Sequence, residues 1–184
     1  MIDSLFVKRR CILHITQLGE HVRENRNLFL SKKGWHTFKG YAYSQIHKMQ
    51  TKNPQGKRKA SVEKFGYDLK YATHCIRLLA EVEQMFTEGT IDLEANREQL
   101  KAILRGEWAK EQVIDYFNSK ERELETLYQE SKAIPHRPNE AAIKKLLLEC
   151  LEMHFGSLAG AIHITESEIV KALVSDVKGV LEKY

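Results

Sequence analysis

The chain has 184 residues, 42% of them apolar and 29% charged, with a net charge of +4. That length suits one domain with a real core, and the composition is that of a soluble globular protein. No apolar run approaches the roughly 20 residues of a membrane span, and Lys8-Arg9-Arg10 follows the short apolar start, the reverse of a signal peptide. Cys11, Cys75 and Cys150 are odd in number and far apart. They read as reduced thiols of a cytoplasmic protein, not as a disulfide framework.

Charge is unevenly placed. Residues 1–77 carry a net +11 and residues 78–184 a net −7. A basic half suits a phosphate-bearing partner: a nucleotide, RNA or DNA. The other reading is that halves of opposite sign complement each other within the fold.

In chain order, Thr16 is placed to cap a helix carrying Leu18, Val22 and Phe29. Ser31 is the next expected N-cap. Trp35, Phe38, Ala42, Ile46 and Met49 then step at helical intervals to about Lys52. Gly34 and Gly40 each weaken that helix by about 1 kcal/mol relative to Ala, and both leave room for a close approach to its backbone. Asn53 to Lys59 is a turn followed by the basic cluster Lys57, Arg58 and Lys59. It lacks P-loop spacing and is either a solvated loop or an arm over a nucleic-acid backbone.

The central helix is expected from about Gly66 to Thr87, stopped by Gly89. Leu69, Ala72, Ile76 and Leu79 face its core side. Lys70, His74 and Arg77 recur at i, i+4 and i+7 on a neighbouring face, a ridge that can hold a phosphate and can equally be wet surface. Asp68 in the first turn suits the helix dipole. Thr90 to Leu93 is a short strand or an extended link. A helix over Ala95–Arg105 turns Leu100, Ile103 and Leu104 inward until Gly106 interrupts it. The next, about Ala109 to Ser131, buries Val113, Phe117, Leu124 and Leu127. Ile134-Pro135-His136-Arg137-Pro138 breaks the pattern. Asn139 then caps a helix striped by Ile143, Leu146, Leu147, Cys150, Leu151 and His154 and ended by Phe155-Gly156. A last helix is expected over Glu166–Glu182. The fold class is mainly α: a single helical domain of six to seven helices over residues 1–156, a helical tail over 157–184, and at most a short extended segment or two.

Catalytic motifs are sparse. Cys150 and His154 are a metal-compatible i, i+4 pair, but on an apolar stripe with no second pair they read as core residues. Gly156-Ser157-Leu158-Ala159-Gly160 has the wrong register for a nucleophile elbow. Asp92-x-Glu94 is the nearest match to the paired carboxylates of two-metal transfer, but a helix follows at once.

The segments Leu18-Gly19-Glu20, Phe29-Leu30-Ser31, Phe38-x-Gly40-Tyr41-Ala42-x-Ser44-Gln45, Gly66-Tyr67-Asp68-x-Lys70-x-Ala72-x-His74-x-Ile76-Arg77-Leu78-Leu79, Arg105-Gly106-Glu107-Trp108 and Pro135-His136 stand in an order that carries a resemblance. Over roughly residues 5–155 the chain resembles the C-terminal part of predicted nucleotidyltransferases of the DNA polymerase β superfamily, the bacterial and phage group associated with RNA-repair ligases. Members resemble other such transferases in a Gly-Ser turn and paired aspartates upstream, which this sequence does not show. The resemblance therefore implies the helical substrate-binding half of a nucleotidyltransferase, not active alone. It would bind no cofactor by itself, with Mg2+ only where a partner core polypeptide supplies aspartates.

By the same resemblance, Lys70, His74 and Arg77, with Tyr67 and Asp68, would hold nucleotide phosphates or base. Lys39, Tyr41, Lys57, Arg58 and Lys59 would lie along an RNA or DNA acceptor. Tyr41, Tyr67 and Trp108 are otherwise core aromatics. The alternative function is a stand-alone nucleotide- or RNA-binding module, of phage origin and acting on a host protein. Neither reading involves a membrane, and self-association is left open.

Overall fold

A computed structural model describes residues 3–52 and 55–158, with Val170 and Ser175, and of Lys57 the backbone alone. The expected helix over Glu166–Glu182 and the Lys57 side chain lie outside the described residues. Among these residues are seven α-helices: α1 Gln17–Glu24, α2 Gly34–Thr51, α3 Lys57–Phe65, α4 Leu69–Glu88, α5 Arg97–Leu104, α6 Lys110–Glu130 and α7 Glu140–Phe155. Three 3-10 turns, Asp3–Phe6, Arg9–Cys11 and Arg26–Phe29, serve the N-terminal part. The fold is mainly α, and no strand occurs among the described residues. No helix among them is long and apolar enough to cross a membrane. The chain forms two units, Met1–Ile143 and Lys144–Tyr184; the core described next belongs to the first.

Local chemistry sets most helix ends. Thr16 Oγ1 accepts from the Gly19 amide at 3.1 Å and opens α1. Asp68 Oδ1 accepts from the Lys70 and Tyr71 amides at 2.9 and 3.3 Å. Asp68 is therefore the N-cap of α4, not a residue of its first turn. Gly89, at φ +68°, closes that helix. Asn139 Oδ1 caps α7 through the Ala142 amide at 3.1 Å.

Five expectations change. The basic cluster is no loop: Arg58 and Lys59 lie in α3, and Gly66 caps α3 instead of opening α4. Lys57–Phe65 carries no continuous apolar stripe, so periodicity could not show it. Ser31 does not cap α2, which starts three residues later behind Lys33. Leu104 is half exposed, because α5 ends at that residue and only Ile103 is fully covered. On α7, Leu146 is buried, but Leu147 and His154 are exposed and Cys150 is half-buried. Gly40 admits no close neighbour: a Cβ built there meets nothing within 4 Å.

α4 is the centre. It packs along α2 and against α6, α5 and α3. Leu69, Ala72, Cys75, Ile76, Leu79, Val82, Met85 and Phe86 are buried along it. Trp35, Ala42, Ile46 and Met49 of α2 and Val113, Phe117 and Leu124 of α6 complete the core. Burial of such side chains contributes about 1.5–3 kcal/mol each.

Ion pairs tie the same helices together: Lys39 of α2 reaches Glu121 and Glu125 of α6 at 2.8 and 3.1 Å, and Lys120 of α6 reaches Glu83 of α4 at 2.9 Å. At the N-terminus, Lys8 pairs with Asp92 at 2.6 Å, Arg10 pairs with Glu94, and Arg23 donates to the Leu5 carbonyl at 2.7 Å. These contacts fix the 3-10 turn that carries Asp3.

Gly106 has φ +75°, and a Cβ there would fall 2.1 Å from the Phe65 ring. Gly106→Ala should therefore lose about 2–4 kcal/mol in urea denaturation. Gly40→Ala, in open space within α2, should gain about 0.5–1 kcal/mol. Equal effects at the two glycines would refute the packing assigned to Phe65.

Candidate functional site

α2 and α4 lie side by side, and their facing residues leave a cleft of about 540 Å³. Thr37, Phe38 and Tyr41 line it from α2, and His74, Arg77, Leu78 and Glu81 from α4, with Asp3 from the N-terminal turn. The spacing explains the set: i, i+1, i+4 on one helix meets i, i+3, i+4, i+7 on the other. Phe38 and Leu78 make apolar wall, and the polar groups converge from α4.

Those groups are coupled. The Arg77 guanidinium donates to His74 Nδ1 at 3.2 Å. Because guanidinium can only donate, Nδ1 accepts and Nε2 carries the proton. Burial, then the Arg77 charge, push the imidazole below its usual pKa, with Lys48 adding to this and Asp3 opposing it. His74 is therefore a neutral donor at neutral pH. The ring of Tyr41, 48% exposed, meets His74 edge to face at 5.2 Å.

Glu81 is 3% exposed, and its Oε1 accepts no hydrogen bond. Its nearest cation is Arg77, whose Nε lies 3.6 Å away, beyond hydrogen-bond reach. Burial pushes its carboxyl up to about 7, with Asp3 acting in the same sense and Arg77 against it.

The residues singled out in the sequence are redistributed. Tyr41, assigned to an acceptor strand, joins His74 and Arg77, assigned to a phosphate, in one cleft. Lys70, the third member of the ridge, is exposed and does not line the cleft. Tyr67 is 1% exposed and donates to the Trp108 carbonyl at 2.6 Å, so its ring is core and has no face to stack on a base. Asp68 is buried as a helix cap and pairs with Arg58 at 2.6 Å. Arg58 also covers the Tyr71 ring at 4.3 Å, Lys59 faces Glu63 at 3.8 Å, and Lys39 is held between two glutamates. The ion pair within the first unit raises the Lys39 pKa, mainly through Glu121. Each of these three cations thus faces a carboxylate of the same unit.

Glu81 is the residue that periodicity passed over. Its signal was a carboxylate inside the apolar run Leu78-Leu79-Ala80-Glu81-Val82, an arrangement that a buried helix tolerates only at a cost.

A magnesium site does not fit the described residues. No group of three His, Cys, Asp or Glu side chains comes together among them. Asp92 and Glu94, the nearest sequence match, are taken by Lys8 and Arg10. No family model, curated protein or solved structure matches the chain.

Between the ordinary carboxylate value of 4.5 and about 7, the folded chain keeps a proton on Glu81 that the unfolded chain has lost. Folded protein then binds more protons, so stability falls as pH rises through that window. Glu81→Gln should match the wild type near pH 4 and exceed it above pH 7, by on the order of 2 kcal/mol. Urea titrations at the two pH values check this, and a pH-independent difference would contradict the burial of the Glu81 carboxyl.

Proposed function

We propose that this chain is a nucleotide-binding helical module. In this reading it is the ligand-holding half of a polymerase-β-type nucleotidyltransferase whose metal-binding aspartates lie on another segment or polypeptide. The supporting observation is the convergence of Tyr41, His74 and Arg77 on one largely apolar cleft. About 540 Å³ is within the range of small-molecule sites, which pair apolar walls with a few convergent polar groups. Phe38, Leu78 and the rim ring of Tyr41 suit a flat heterocycle. Arg77, with the positive field of Lys48 acting on the same imidazole, suits the negative charge that follows it.

This narrows the ligand. The expected acceptor-strand cations Lys39, Arg58 and Lys59 all face carboxylates. The support therefore lies with a mononucleotide more than with an RNA or DNA strand. The module's contribution to any transfer would be positioning and charge neutralisation.

Calorimetric titration with the four nucleoside triphosphates, with magnesium and at two salt concentrations, tests the reading. Binding of at least one is expected, weakened about tenfold or more in Arg77→Ala and in Tyr41→Ala. Lys70→Ala, outside the cleft, should change affinity by less than about threefold. Binding of none, or a larger loss in Lys70→Ala than in Arg77→Ala, would overturn it.

A further inference from the structure

A buried carboxyl oxygen without a donor is costly, and most such groups in folded proteins are satisfied. Glu81 Oε1 is such an atom, and Glu81 is one of the residues that line the cleft of about 540 Å³. Beside it, 3.6 Å away, stands a guanidinium that donates to His74. The α2–α4 cleft thus sets an acceptor next to a donor between apolar walls. An occupant that engages the whole carboxylate as well as the guanidinium presents two adjacent N–H donors next to a carbonyl acceptor on one rigid edge. Among the common bases, guanine does so: N1–H and the 2-amino group stand beside O6. Adenine offers an acceptor where guanine has N1–H. Uracil has one ring N–H and no amino group.

We propose that Glu81 is the specificity-determining residue of the cleft and selects a guanine-type edge. Its carboxylate accepts from two adjacent N–H groups, and Arg77 donates to the neighbouring carbonyl. The inference rests on the nucleotide reading of the cleft.

Proton linkage follows from the same contact. Donors on the base favour the ionised carboxylate, so binding expels the proton that burial keeps on Glu81 near neutral pH. The charged groups acting on this carboxyl are Arg77 on α4 and Asp3 on the N-terminal turn; His74 of α4 and Tyr41 of α2 line the same cleft, and Lys48 of α2 acts on His74. His74 is already neutral, so it has no proton to release above its lowered pKa.

The test is calorimetry on the full chain with GTP, ITP and ATP, in two buffers of different ionisation enthalpy. ITP keeps N1–H and O6 but lacks the 2-amino group. The expected order is GTP tightest, ITP about tenfold weaker and ATP weaker still, with up to about one proton released with GTP near pH 6.5. In Glu81→Gln the GTP preference should shrink to less than about threefold and the proton release should vanish. An unchanged thermal midpoint or a higher one would show that the variant folds. If nucleotides bind without base preference, or if Glu81→Gln keeps the preference, the assignment to Glu81 is overturned while the nucleotide reading stands. If no nucleotide binds the wild type, both fall.

Discussion

The structure depends on one constraint: α4 is covered by α2, α5 and α6 along most of its length. A helix in that position must be apolar on its covered faces, and Leu69, Ala72, Ile76, Leu79, Val82 and Phe86 make it so. Each polar side chain left on its covered surface then needs a partner or a purpose. Gln84 has a partner, since its Oε1 accepts from the Asp92 amide at 2.5 Å and anchors the link to α5. Cys75 is inert, its thiol pushed up to about 12 by burial. Glu81 Oε1 accepts no hydrogen bond, and its ion pair with Arg77 Nε, at 3.6 Å, is too long to be one. It therefore separates a functional cleft from a packing defect.

Part of the charge asymmetry has an internal explanation. Lys8, Arg10 and Lys39 of the basic half pair with Asp92, Glu94, Glu121 and Glu125 of the acidic half. Each pair is partly exposed and contributes modestly to stability. Their joint effect is geometric: they hold the N-terminal turn against the link after α4, and α2 against α6. Arg58 is drawn to Asp68, its near neighbour in the same half. What remains of the basic field at the cleft is Arg77, with Lys48 acting at His74.

Much of this architecture is written in local sequence. Thr16, Asp68, Gly89 and Asn139 act as helix signals because capping is a matter of a few neighbouring atoms. The apolar steps of α2, α4 and α6 determine their buried faces, since a 3.6-residue period leaves no other way to cover Trp35, Ile76 or Phe117. α3 was not legible, because its residues Lys57–Phe65 are mostly polar and its closing Gly66 looks, in sequence, like the start of the next helix.

The cleft was decided by tertiary structure. His74 and Arg77 share a helix face, and that much their spacing dictates. That Tyr41 joins them while Lys70 does not depends on where α2 crosses α4. That Asp3 joins them depends on ion pairs between residues more than 80 apart, Lys8 with Asp92 and Arg10 with Glu94. The same packing makes Tyr67 a core ring bound to the Trp108 carbonyl and leaves Glu81 Oε1 without a hydrogen bond. Sequence determined most of the helices, several of their caps and the apolar faces of α2, α4 and α6, because those are settled within one or two turns of chain. Packing decided which polar groups meet and which stand alone, because desolvation and pairing arise only when distant helices close over them.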